Sequence, residues 1–447
     1  MANPELIQSW AKIEAVVATA ERVGRLPAAA RVVFMALAMC SAGGGSNALA
    51  ATSPAPVPAA PQWRPEDAAV GCVSTPLPAY SDLPVTAAFP DPFLKSDGTA
   101  LTRQSEWPCR RAEVSRQVQA YELGEKPAAV AGSVSSSRDG TSLTVTVKEA
   151  GRSISFVANV QLPSTGKPPY PALIGIGRSW LDNAELLQRG VALINFPNDD
   201  LAQQANGSSR NAGKFFTLHP HSEGSGALVA WAWGVSRLID AIELGGLPDV
   251  NPGRLGVTGC SRNGKGALAA GALDERIALT IVQESGSGGA AAWRVSDAQR
   301  VAGQNVQTLS EIVNENVWFR TSFSQFGASA TRLPFDHHQV LGLVAPRGLL
   351  VIENTSMEWL GNQSAYTDAM AAREIWAALG VADRMGISQV GGHDHCALPA
   401  SEAGEVNAFV DRFLKDQPGV DTNIVHTDGG FPVERSRWMP WKTPALR

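Results

Sequence analysis

The chain has 447 residues, 44% hydrophobic and 18% charged, a balance that supplies a large apolar core and excludes a collagen-like or disordered chain. Its formal charge is −5 with no basic block or stripe, so nucleic acid is not an expected partner. The longest apolar run, residues 32–42, falls short of the ~20 residues a spanning helix needs, so no membrane segment is expected in the mature form.

The first stretch reads as an export signal rather than as fold. Arg22, Arg25 and Arg31 precede the apolar run, and Ala48-Leu49-Ala50 supplies a small-x-small cleavage pattern. Residues 1–50 are therefore assigned to a signal region with a long n-region, and 51–66, rich in Pro and Ala, to a linker. The competing reading is an amphipathic helix over 5–23 that belongs to the domain, and a lipoprotein site at Cys40 is disfavoured by the bulk of Met39. A secreted or periplasmic location follows. Cys72, Cys109, Cys260 and Cys396 remain, an even count that suggests two disulfides with three possible pairings. No CxxC or Cys/His ligand spacing occurs, so no metal is expected.

Residues 67–447 are read as one catalytic domain. Alternation of apolar and polar residues over 143–162, broken at Gly151, predicts two antiparallel strands. Downstream the runs become short and nearly continuously apolar, at 172–176 and 191–196, with similar runs at 255–258, 278–282, 348–352 and 387–390, as in strands buried on both faces. Helical patterns over 227–244, 265–273, 366–379 and 402–415 alternate with them, which predicts an α/β fold with a mostly parallel sheet. Such sheets carry their active sites beyond the carboxyl ends of the strands. Residues 290–336 interrupt the alternation and carry Trp293, Trp318, Phe319, Phe323 and Phe326, which predicts a helical insertion beside the site. Residues 418–447, with several Pro and Gly, read as an extension packed along the surface.

The sharpest signal is a strand running into Gly259-Cys260-Ser261-Arg262-Asn263-Gly264 and on into a small-residue helix. In that context a serine sits on a sharp turn with its Oγ exposed, above a helix N-terminus that favours developing oxyanion charge. The motif is not the standard G-x-S-x-G, because its second glycine comes one place late. The hydroxyl needs a base, and Gly391-Gly-His-Asp-His-Cys396 follows the last core strand, offering His393 or His395. Cys260 adjoins Ser261, so a Cys260–Cys396 bridge would draw His395 to the serine. The pair His337-His338 is read as a loop pair shaping the pocket floor. Two carboxylates can orient the base: Glu284, ending the strand after the nucleophile, and Glu353, ending the next one.

Together these residues resemble the glucuronoyl esterases of carbohydrate esterase family 15. The likeness is carried by Gly259-Cys-Ser-Arg-Asn-Gly-Lys265, Gln283-Glu-Ser-Gly-Ser-Gly-Gly289, Leu333-Pro-Phe-Asp-His-His338, Ala345-Pro-Arg-Gly-Leu349 and His395-Cys396, and spans about residues 70–430. Trp107-Pro-Cys-Arg-Arg111 and Trp231-Ala-Trp-Gly-Val-Ser-Arg237 are similar to family segments too. The resemblance implies an α/β-hydrolase three-layer α-β-α sandwich. It implies Ser261 as nucleophile, His395 as base, Glu284 as acid and the side chain of Arg262 in the oxyanion hole. It implies Lys265, Gln307, Glu315 and Trp359 as sugar-binding residues, and disulfides Cys72–Cys109 and Cys260–Cys396. Without it, Lys265 reads as a solvated helix residue and Trp359 as core. A further cysteine pair of fungal members is missing, with Ala292 where one partner would stand.

The implied substrate is the ester between 4-O-methyl-glucuronic acid on glucuronoxylan and a lignin alcohol, cleaved by a monomer without metal or cofactor. The rival readings are another carboxylic or acetyl esterase, an α/β-hydrolase peptidase and a non-catalytic carbohydrate binder. The last would have no need of Ser261, Glu284 and His395 together.

Overall fold

A computed structural model describes residues 75–447 together with Glu66, Gly71 and Cys72. The signal assigned to 1–50 lies outside the described residues, as does all of the 51–66 linker but its end. That end, Glu66, is fastened to the fold through Lys126 and through Arg237, whose Nη2 donates at 2.8 Å.

The predicted antiparallel pair is β2 (Ser142–Glu149) and β3 (Arg152–Gln161), joined across Gly151, with alternate residues buried. Each of the apolar runs lies in a strand of the same sheet: β4 (Tyr170–Ile176), β5 (Ala192–Phe196), β6 (Val250–Cys260), β7 (Ile277–Gln283), β8 (Gly348–Glu353) and β9 (Met385–Gln389). Two strands escape sequence reading, β1 (Val134–Asp139) and β10 (Val425–Thr427). The order is β1-β2-β3-β5-β4-β6-β7-β8-β9-β10. Pairing is antiparallel from β1 to β5 and parallel from β5 through to β10.

Helices cover both faces, as the sandwich requires. Ala227–Glu243, Arg262–Leu273 and Asn362–Ala378 pack into one apolar layer with Trp231, Trp233, Ala267 and Trp376. Asn183–Gln188 and Ala400–Phe413 pack into the opposite layer, where Leu181 and Leu186 meet Val406, Phe409 and Phe413. Residues 290–336 contribute helices Trp293–Val301 and Leu309–Glu315 and two short 3₁₀ turns, with no strand of the sheet. Their aromatic residues are core: Trp293, Phe319, Phe323 and Phe326 are buried and pack ring against ring. In the C-terminal extension, Trp438 and Met439 pack on Phe89, Val295 and Ala371. Among the described residues no helix is long and apolar enough to cross a membrane.

Candidate active site

β6 ends at Cys260 and the helix Arg262–Leu273 begins two residues later, so Ser261 alone makes the turn. It does so at φ 59° and ψ −129°, in the positive-φ region that costs an ordinary side chain on the order of 1–3 kcal/mol. Its N–H donates to Gln283 O at 3.0 Å and its carbonyl accepts from Lys265 N at 3.1 Å, which pin the turn from both sides. Glycine is obligatory at 259, because a Cβ there would stand 2.3 Å from the carbonyl oxygen of Asn263. Strand, turn and helix are thus pressed together at the carboxyl edge of the sheet, with Ser261 half-buried at the rim.

Strand β7 pairs in parallel with β6, Gln283 opposite Cys260, so Glu284 leaves the sheet beside Ser261. Its carboxylate is fully buried; Oε2 accepts from His395 Nδ1 at 2.7 Å and Oε1 from Cys396 N at 3.0 Å. The disulfide Cys260–Cys396 ties the histidine loop to the residue before the serine. A ring nitrogen of His395 lies within 4.8 Å of both sulfurs, which are spent in the disulfide and offer no thiolate to a metal. Nε2 of His395 makes no hydrogen bond among the described residues, so the ring is fixed at one nitrogen and open at the other. His393 is turned back on its own loop: Nε2 meets Val390 O at 2.9 Å, and Nδ1 approaches Glu284 only to 3.9 Å.

Glu353, the other candidate acid, faces elsewhere. Its Oε1 accepts from Ser285 N at 3.0 Å and Ser285 Oγ at 3.2 Å, holding the turn after β7. Burial, with the charge of Glu284 adding, pushes its carboxyl up to about 8. Among the described residues it makes no hydrogen bond to His395.

The same turn gathers the predicted sugar-binding set. Lys265 is buried, contrary to its reading as a solvated helix residue, and Nζ donates to Ser285 O at 2.5 Å. Burial, with Arg262 adding, lowers its ammonium to about 8 against the opposing pull of Glu315 and Glu353. Ser287 Oγ donates to Gln307 O at 2.6 Å, Gln307 N donates to Trp359 O at 3.2 Å, and Gln307 Nε2 is bonded to Glu315 Oε2. Glu315 is exposed and Trp359 half-buried, so the latter is not core. Lys265 and Gln307 thus meet the turn after β7 directly, and Glu315 and Trp359 are linked to it through Gln307.

Sequence reasoning missed Trp318. Its indole lies under both cations of the site, 5.6 Å from the Arg262 guanidinium and 5.5 Å from Lys265 Nζ, and Nε1 donates to Gln204 Oε1 at 2.9 Å. It stood among the aromatics of the insertion expected beside the site, and no spacing set it apart from them. The His337-His338 pair is not on a loop: it opens the helix His337–Gly342, fully buried. His337 Nδ1 meets Gly289 O at 2.6 Å, beside the turn after β7, whereas His338 Nε2 meets Pro90 O at 2.9 Å in the N-terminal segment. Cys72–Cys109 closes the second disulfide.

Residues 145–380 match the family described as "Glucuronyl esterase, fungi". A 4-O-methyl-glucuronoyl methylesterase of Podospora anserina is 48% identical over 375 residues, 83% of this chain and 77% of that one. Its counterpart in Hypocrea jecorina is 45% identical over 84% of this chain and 80% of its own. Among solved structures, the catalytic domain of the Hypocrea jecorina glucuronoyl esterase superposes with TM-score 0.79 at 46% identity, covering 83% of this chain and all of that one. A Sporotrichum thermophile variant in complex with methyl 4-O-methyl-β-D-glucopyranuronate gives TM-score 0.77 at 44% identity, over 82% of this chain and 97% of its own. With this identity sustained across four-fifths of its length, the chain belongs to the glucuronoyl esterase family.

Proposed function

We propose that this chain is a serine esterase that hydrolyses the ester between the carboxylate of 4-O-methyl-glucuronic acid on glucuronoxylan and a lignin alcohol. The observation that carries it is the contact of Glu284 with His395 at 2.7 Å beside a strained Ser261, with buried Lys265 four residues on. Ser261 Oγ attacks the ester carbonyl while His395 Nε2 takes its proton, and Glu284 stabilises the imidazolium. Arg262 neutralises the tetrahedral oxyanion with a charge it cannot lose, held over Trp318. His395 then returns the proton to the departing alcohol, and water repeats the sequence to free the glucuronate. Lys265, Gln307 and Glu315 present donors and acceptors to sugar hydroxyls, and Trp359 offers an indole face to the C–H side of the ring.

The enzyme works outside the cytoplasm and as a monomer in this reading. The export-like residues 22–50 and two disulfides support the first, and the site being supplied by one chain is compatible with the second. Relatives named 4-O-methyl-glucuronoyl methylesterases support the acyl choice. Initial rates on methyl 4-O-methyl-glucuronate, methyl galacturonate and p-nitrophenyl acetate test it. Strong preference for the glucuronate is expected; equal kcat/KM on all three would leave an esterase without that specificity.

A further inference from the structure

Behind the turn after β7 lies a buried polar group that the proposed chemistry leaves unused. His337 is fully buried, and its two ring nitrogens meet two acceptors: Nδ1 faces Gly289 O at 2.6 Å and Nε2 faces Glu122 Oε1 at 3.1 Å. A neutral imidazole carries one N–H, whereas the imidazolium donates to a carbonyl and a carboxylate at once. Glu122 is as buried as the ring, and its Oε2 accepts from Trp293 Nε1 at 3.3 Å. The Trp293 ring packs edge-on against His337, centroids 5.2 Å apart. The neighbouring charges are engaged elsewhere: Asp336 caps the helix His337–Gly342 and pairs with Arg294 at 3.0 Å, and His338 faces Pro90 O. Burial lowers the pKa of His337, but Glu122, Asp336 and the Gly289 carbonyl together raise it above the ordinary histidine value.

The carbonyl that His337 holds belongs to the turn that meets the sugar-binding set. Gly289 N donates back to Gly286 O at 2.9 Å and Ala290 N to Ser285 Oγ at 2.8 Å, so residues 285–290 close on themselves. Gly286 and Gly288 take φ 61° and 74°, and a Cβ on Gly289 would stand 2.4 Å from Ser285 Oγ. A turn wound this tightly moves as a unit. Its Ser285 O accepts from Lys265 Nζ and its Ser287 Oγ donates to Gln307 O. The segment bearing Glu122 also reaches the insertion, where its carbonyl accepts from Arg320 N at 2.8 Å, two residues past Trp318.

We propose that His337, clamped as an imidazolium between Glu122 and the Gly289 carbonyl, is a positioning residue that sets the turn after β7 for glucuronate binding. Among the described residues it makes no hydrogen bond to Ser261, Glu284 or His395, so it acts through Lys265 and Gln307. This rests on the glucuronate reading above and places part of that specificity in a pair behind the pocket. Contacts to the sugar persist in ground and transition states alike, so loosening them raises KM more than it lowers kcat.

The test compares the full chain with Glu122→Gln and with the double variant Glu122→Gln/His337→Phe, on methyl 4-O-methyl-glucuronate and on p-nitrophenyl acetate, beside melting curves. In Glu122→Gln a neutral ring can keep its Nδ1–H on Gly289 O and accept from the amide at Nε2, so KM for the glucuronate should stay within about threefold. The double variant keeps a ring against Trp293, leaves no buried charge unpaired and removes only the donor to Gly289. Its KM for the glucuronate should rise roughly tenfold, the size of one charge-assisted hydrogen bond, with kcat and the acetate rates within about threefold. Histidine labelled with ¹⁵N supplies a readout independent of activity. About one pH unit above the ordinary histidine pKa of ~6.5, the wild type should show one ring protonated at both nitrogens, reduced to one proton in Glu122→Gln and absent from the double variant. A singly protonated ring in the wild type overturns the clamp. An unchanged glucuronate KM in the folded double variant, or equal losses on both substrates, overturns the positioning role and leaves the glucuronate reading intact. A wild-type enzyme that cleaves p-nitrophenyl acetate but not the glucuronate ester overturns both.

Discussion

Replacing Glu284 by Gln keeps the volume of a fully buried side chain and removes its charge. The amide oxygen can still accept from Cys396 N, but its NH₂ then faces His395 Nδ1, where a carboxylate oxygen had accepted at 2.7 Å. The ring must move its proton to Nε2, the nitrogen that has to accept from Ser261. The electrostatic loss is large as well: unit charges 2.7 Å apart interact by about 6 kcal/mol at an effective dielectric of ~20. Part of His395 is solvent-exposed, which screens this, so kcat should fall by about 10⁴-fold at most, the loss seen when a triad acid becomes an amide. Glu353→Gln serves as the matched control. Its carboxyl, pushed up to about 8, is already neutral at pH 7, and an amide can keep the bond from Ser285 N, so its loss should stay within about threefold. Both are read as kcat/KM on methyl 4-O-methyl-glucuronate at neutral pH, beside a melting curve to exclude unfolding. A greater loss from Glu353→Gln than from Glu284→Gln, with both folded, refutes the assignment.

Four further outcomes follow from the same geometry. The Cys260–Cys396 bridge closes 136 residues, worth on the order of 5 kcal/mol in the chain-entropy model, and it holds the histidine loop. Cys260→Ser with Cys396→Ser should therefore lower Tm and kcat together, and thermal unfolding with parallel assays would expose a loss of one without the other. Lys265, lowered to about 8 chiefly by burial, is charged below that pH and neutral above it, so kcat/KM on glucuronate esters should decline as pH rises through about 8. Hydrolysis of p-nitrophenyl acetate should lack that limb. Glu353 is raised from 4.5 to about 8, so the folded protein binds the extra proton between those values and stability falls as pH rises across them; urea titrations of Glu353→Gln should show a flatter decline. Lys265→Ala should reduce kcat/KM on glucuronate esters far more than on the acetate, whereas Arg262→Ala should depress both. Equal factors for Lys265→Ala would remove it from sugar recognition.

The parallel core was legible because strands buried on both faces are largely apolar along their length, and β4 to β8 each carry such a run. β1, Val-Ser-Ser-Ser-Arg-Asp, was not, because an edge strand is defined by its partner β2 rather than by its own pattern. β10 has three residues and no signal of its own. The helix Trp107–Val118 hides its inner face behind Arg110 and Arg111, buried cations that a hydrophobic count reads as surface. At the site, the elbow was visible as glycines between a strand and a helix. The choice of Glu284 over Glu353 was not visible in spacing, since both end adjacent strands and only the direction of each carboxyl separates them. Lys265 looked solvated because the groups around it, Ser285, Glu315, Trp318 and Glu353, arrive from three separate stretches of the chain. Local pattern carries what one element decides; burial of a charge is decided by several.

The central claim is that Ser261 and His395 carry out the cleavage of a glucuronate ester as one unit. It is tested most directly by steady-state rates of the wild type, Ser261→Ala and His395→Ala on methyl 4-O-methyl-glucuronate, with folding checked by circular dichroism. The account predicts an active wild type and a loss of roughly 10⁴-fold or more in kcat for each variant, with the double variant little worse than either, because members of such a unit fail together. A His395→Ala enzyme within tenfold of wild type, or losses that multiply in the double variant, would contradict it.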